Sequence, residues 1–138
     1  MTAHDSIQLG GITIRFLVEQ DVVTMFEFHV AAGAQVPAPH SHDAFEETVY
    51  GLAGTATFTL DGARIALAAG DALFVPRGAV HGFVNETGEP ASFLATCTPG
   101  LMRAAYFTEM RDALPDRDKA LEVMRRHGLT PAPPPVSA

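Results

Sequence analysis

The sequence predicts an all-β sandwich or barrel followed by one or two C-terminal α-helices, and three observations predict it. Runs rich in β-branched and aromatic residues recur at roughly eight- to twelve-residue spacing. Turn signals separate them at Gly51 and Gly54, Asp61-Gly62, Pro76 and Gly78, and Pro99-Gly100. From Leu101 onward the apolar residues switch to helical spacing.

The elements follow in order. "GITIRFLVEQ" (11–20) and "DVVTMFEFHV" (21–30) show partial alternation and read as two strands joined near Glu19–Asp21. "AAGAQVPAPHS" (31–41) is a Pro/Gly/Ala loop. Residues 46–62 hold two short strands broken between Gly51 and Gly54, then the hairpin signal Asp61-Gly62. Residues 63–71 return along that hairpin, 72–90 place Pro76 and Gly78 between two short strands, and 91–100 form the last strand. A helix over 101–114 is stopped by Pro115. A second, over 116–128, has Asp116 as its N-cap and Gly128 past its end. The tail "TPAPPPVSA" has little to pack and is expected to be disordered or extended. The expected organisation is a barrel over 1–100, a helical extension over 101–128 and a Pro-rich tail over 129–138.

Composition excludes several classes. The chain has 138 residues and 47% hydrophobic content, which suits one compact domain. Nine basic against sixteen acidic residues give a formal charge of −7, so no basic footprint for nucleic acid exists. No apolar run approaches the about 18 residues that a membrane span needs. The N-terminus "MTAHDSIQLGG" lacks a basic region and an apolar core, so a cytoplasmic location is expected. The single cysteine, Cys97, excludes an intrachain disulfide, fits a reducing compartment and reads as a small buried apolar residue.

The informative stretch is "PAPHSHDAFEETVYGLAG". Side chains at i and i+2 of an extended segment share a face, so His40 and His42 converge. A carboxylate on the following turn or strand completes a three-ligand face, and both Glu46 and Glu47 compete for it. His81, in a strand after the tight "PRG" turn, is the best candidate for a fourth donor. Imidazoles plus one carboxylate suit one divalent transition metal ion: iron, manganese, zinc, nickel or copper. His4, His29 and His127 read as ordinary polar residues; His29 alone alternates with Met25 and Glu27 in a way that lets it face inward.

"HSHDAFEETVYGLAG" and "GDALFVPRGAVHGFVN" together resemble the two sequence motifs of the cupin superfamily. The second matches at Gly70, Pro76, Gly78, His81 and Asn85. In the first, six residues separate Gly33 from His40, one more than the family pattern has. Either the loop carries an extra residue or Ala34 takes the glycine's place. The resemblance implies a double-stranded β-helix, the cupin or jelly-roll barrel, with His40, His42, Glu47 and His81 at the metal-ligand positions. Glu47 is preferred over Glu46 by its step to Gly54. "CTPGLMRAAYFTEM" is similar to the C-terminal segment of small quercetin-dioxygenase-like cupins.

Strand parity puts Phe83 and Asn85 with His81, and Val49 and Gly51 with Glu47, on the inner face of a barrel with room for one small ligand. The aromatic residues within 101–107 read as helix packing. The leading functional expectation is a metal-dependent dioxygenase-type oxidoreductase acting on a small enol, catechol or diketone. Glu47 would remain a ligand or swing off as a base. The alternatives are a non-catalytic small-ligand-binding module and a metal-dependent isomerase or decarboxylase. The expected partners are a small molecule and a second copy of the chain, docked through the 11–30 segment as a homodimer; no nucleic acid or membrane is expected.

Overall fold

The computed structural model describes residues 6–36 and 38–132. The strands are β1 (Ser6–Leu9), β2 (Ile12–Glu19), β3 (Thr24–Val30), β4 (His40–His42), β5 (Glu46–Ala53), β6 (Thr55–Leu60), β7 (Ala63–Ala68), β8 (Ala72–Val75), β9 (His81–Val84) and β10 (Ala91–Thr98). Two helices follow, α1 (Ala104–Ala113) and α2 (Arg117–Arg126), and then β11 (Leu129–Pro131).

Alternation along the strands explains how the sheets face each other. Ile12, Ile14 and Phe16 of β2, Phe26, Phe28 and Val30 of β3, and Phe93, Ala95 and Cys97 of β10 are all buried. Each large side chain so buried contributes about 1.5–3 kcal/mol relative to exposure. The strands form a six-stranded sheet, order β1-β2-β3-β10-β5-β8, and a five-stranded sheet, order β11-β4-β9-β6-β7. Phe28 meets Phe83 at 5.2 Å and Phe58 meets Phe93 at 5.0 Å between ring centroids, joining the sheets through an aromatic core. This is the double-stranded β-helix, with two C-terminal helices.

The helices cap one end of the barrel. Tyr106, Phe107 and Met110 of α1 and Ala120, Val123 and Met124 of α2 are buried. The Phe107 ring lies 5.6 Å from Phe26 and 5.9 Å from Phe28. Asp116 caps α2 by accepting from the Lys119 N–H at 3.1 Å. No helix among the described residues is long and apolar enough to cross a membrane.

Three features differ from the sequence reading. β1 was not expected; "SIQL" buries Ile7 and Leu9 and pairs with β2, Ser6 opposite Arg15 through Leu9 opposite Ile12. Segment 11–30 is therefore interior to its sheet, and β1 and β8 form the edges. That removes 11–30 as an edge available to a second copy. Residues 129–131 form a strand against β4, anchored by buried Leu129. His4 and residues 133–138 of the expected tail lie outside the described residues.

Candidate metal centre

β4 presents His40 and His42, and β9 opens with His81, the cross-strand partner of His40. The three imidazoles each offer a nitrogen, and these nitrogens lie within 4.8 Å of one another. Glu47 reaches them from the opposite sheet, its Oε1 3.6 Å from Nε2 of both His42 and His81. Two donors about 2.1 Å from one ion can span up to roughly 4.2 Å, so the two 3.6 Å separations suit a shared ion.

Short local contacts aim the rings. His40 Nδ1 lies 3.0 Å from Ala38 O, and His81 Nδ1 lies 3.0 Å from Ala79 O. A carbonyl only accepts, so each Nδ1 carries a proton and each Nε2 is left to face the cluster. The loop before His81 is pinned twice. Asp61 Oδ1 accepts from the Val80 N–H at 2.9 Å, and the Gly78 N–H donates to His42 O at 2.9 Å. Gly78 makes this turn at φ +84°, where a side chain would be strained.

His42 is different. Its ring is 1% exposed, and neither nitrogen has a hydrogen-bond partner. It stacks on Phe45 instead, with ring centroids 4.2 Å apart and planes 16° apart. A buried polar atom without a partner costs about 1–3 kcal/mol. A bound ion would satisfy Nε2, so the donor set fits a metal.

Electrostatics agree with a set of neutral imidazoles beside one charged pair. Burial, reinforced by the neighbouring His81, lowers the pKa of His40 to about 4. Burial also lowers His42, to about 3, against the opposing pull of Glu47. Burial alone would lower His81, but the facing Glu47 carboxylate outweighs it and the net shift is upward. Burial alone would raise Glu47, but His81 and His42 outweigh it and the net shift is downward. His81 and Glu47 thus behave as an ion pair in the metal-free chain.

The cluster forms one end of a cavity of about 60 Å³. That holds on the order of five water-sized groups. The rest of the wall is apolar or aromatic and includes Phe26, Phe28, Phe58 and Phe83 from the strands and Met102, Tyr106, Phe107, Met110 and Met124 from the C-terminal segment. Tyr106 and Phe107, read from sequence as helix packing alone, therefore also line the cavity. Strand parity holds, since Phe83, Asn85, Val49 and Gly51 are all buried, but of these only Phe83 borders the cavity. Asn85 holds a loop, donating from Nδ2 to Val30 O at 3.1 Å and to Glu89 O at 2.7 Å.

The other sequence candidates lie apart from the site. Glu46 pairs with Arg77 at the surface. His29 points outward, 3.1 Å from Glu27. His127 contacts Glu109 at 2.9 Å. Cys97 is buried, and that burial pushes its thiol pKa up. Gly33, at φ +80°, is the turn glycine before β4, so the loop carries one extra residue rather than substituting Ala34.

Two sheets, an inward histidine cluster that could hold a metal ion and a partly open cavity define a small barrel with a candidate metal site. The family model for the cupin domain matches residues 26–97, and the chain belongs to the cupin family. It is 32% identical over 79 residues to the pectin degradation protein KdgF of Dickeya dadantii strain 3937, covering 56% of this chain and 71% of that one. Among solved structures, KdgF from a Halomonas species superposes with a TM-score of 0.66 at 22% identity, covering 74% of this chain and 90% of that one. An uncharacterised double-stranded β-helix protein from Klebsiella pneumoniae gives a TM-score of 0.62 at 26% identity, covering 67% and 81%.

Proposed function

We propose that this cupin is a metal-dependent enzyme of the dioxygenase type, acting on a small organic molecule of the enol, catechol or diketone class. The observation that carries the reading is the cavity itself: a small, partly open space, aromatic and methionine-rich, with a histidine cluster in its wall. Such a wall favours a compact, largely apolar substrate that presents two adjacent oxygens to the cluster. His40, His42, His81 and Glu47 would hold one divalent ion. When bound, that ion would supply Lewis-acid polarisation of the substrate and, if redox-active, a route for electrons to dioxygen.

The chain's own residues have definable parts. Ala38 O and Ala79 O fix the tautomers that aim His40 and His81. Glu47 holds negative charge at the site and, if released, is placed to accept a proton. Phe107, Met110 and Met124 would add apolar wall that disfavours water beside the substrate.

A second reading is favoured by the likeness to a pectin degradation protein: an oxygen-independent reaction on a pectin-derived carbohydrate. The wall argues against it, because among the described residues its lining includes no arginine, lysine or asparagine to hold many hydroxyls. Anaerobic reconstitution with Fe(II) or Mn(II), followed by oxygen uptake against a panel of enols, catechols and diketones, tests the proposal. Substrate-dependent uptake supports it. Conversion without oxygen selects the second reading, and tight binding without conversion selects a ligand-capture module. We likewise propose a cytoplasmic homodimer, docked at an edge other than 11–30. A sedimentation mass near twice that of one chain supports the dimer, and a single-chain mass contradicts it.

A further inference from the structure

β4 carries two of the three clustered histidines, yet the rest of its sheet barely holds it. It pairs with β9 at one position, His40 opposite His81. Its other edge is covered by β11 along its full length, with Leu129 opposite His42, Thr130 opposite Ser41 and Pro131 opposite His40. The pairing continues past both ends. The Asp43 N–H donates to Gly128 O and the Ala132 N–H donates to Pro39 O, each at 2.9 Å. Thr130 Oγ1 donates to Asp43 Oδ1 at 2.7 Å, and Leu129 is 1% exposed.

β11 is also the direct continuation of the cap. It follows α2 after only His127 and Gly128. His127 and Arg126 both bind Glu109 of α1, so the two helices and β11 are tied together. The same helices supply Tyr106, Phe107, Met110 and Met124 to the cavity wall. Lifting the cap would strip β4 of its one full-length partner. A three-residue strand left with that one pairing and the Gly78 N–H bond to His42 O has little stability of its own.

We propose that β11 is a positioning strap that couples closure of the helical cap to the placement of His40 and His42. An ion held by His40, His42 and His81 then tightens the cap, and an open cap loosens the ion. This rests on the metal reading above. Linkage makes the coupling reciprocal: the factor by which closure favours the ion is the factor by which the ion favours closure.

Hydrogen exchange on the full chain, with and without Zn(II), tests it directly. The amides of 129–132 and of α2 are expected to exchange about 5–10-fold more slowly with Zn(II), while β7, at the edge of that sheet opposite β11, is unchanged. Thr130→Pro, which removes a strand N–H and the Asp43 contact, is expected to weaken Zn(II) affinity by about the same 5–10-fold. Thr130→Val, which removes only the side-chain bond, covers the case in which the proline variant fails to fold; it should weaken Zn(II) in the same direction by about 2-fold. Protection confined to β4, β5 and β9, or wild-type Zn(II) affinity in a folded Thr130→Pro or in Thr130→Val, overturns the strap and leaves the metal reading standing. A wild-type chain that binds neither Zn(II) nor Co(II) defeats the metal reading and the strap with it.

Discussion

At the scale of single residues, the site is built from three imidazoles held in two different ways. His40 and His81 are aimed by hydrogen bonds to carbonyls two residues earlier. His42 has no such bond and depends on the face of Phe45. Phe45 is 1% exposed, so Phe45→Ala should cost about 3–5 kcal/mol in stability. Urea denaturation measures that cost, and Phe45→Leu should recover much of the stability but not the His42 orientation, read from its imidazole nitrogen shifts. Glu47→Gln should lower the melting temperature of the metal-free chain, because it leaves buried His81 without its carboxylate, and should lower Zn(II) affinity at least about 10-fold, by titration calorimetry. The motif residues were legible because ligand spacing is local: an i, i+2 pair and a short step to the next strand survive any uncertainty about the rest of the barrel. Phe45 was not legible as a partner for His42, because nothing in spacing distinguishes a stacked ring from any other core phenylalanine.

At the scale of elements, the strands with clear alternation were read well, and those whose stability comes from pairing were not. β2, β3 and β10 announce themselves by buried residues at every second position. β1 and β11 have four and three residues, too few for periodicity, and exist because a neighbouring edge needs covering. The helices were legible, but their docking was not. Helical spacing shows that α1 has an apolar side, not that Phe107 meets Phe26 across the barrel end. Phe107→Ala should therefore do two things at once: destabilise the fold by about 3–5 kcal/mol and enlarge the cavity. Binding of a bulkier hydrophobic probe, measured by fluorescence, checks the second effect. Asp116→Ala should cost about 1 kcal/mol through the lost cap of α2, seen as a lower melting temperature.

At the scale of the whole molecule, acid and metal act on the same cluster. His40 and His42 have pKa values of about 4 and about 3 in the metal-free fold, against an ordinary 6.5. Their protonation therefore favours the unfolded chain. Their contribution is fully present above pH 6.5 and declines as pH falls toward those values. Glu47, whose pKa is lowered, acts in the same direction at lower pH. His81, whose pKa is raised, acts oppositely, its contribution fading as pH rises through that raised value. The first three prevail, so the metal-free chain should lose stability progressively below pH 6.5 in acid titrations followed by circular dichroism. An ion at 100 times its dissociation constant should add about 2.7 kcal/mol near neutral pH, with the gain shrinking as the ligands are protonated. The central claim is that the histidines of β4 and β9 and Glu47 of β5 hold one ion inside this barrel. Elemental analysis of the natively expressed chain, beside His40→Ala and His81→Ala, tests it most directly. The account predicts close to one transition-metal ion per wild-type chain and little in either variant; equal metal in all three proteins, or none in any after reconstitution, would contradict it.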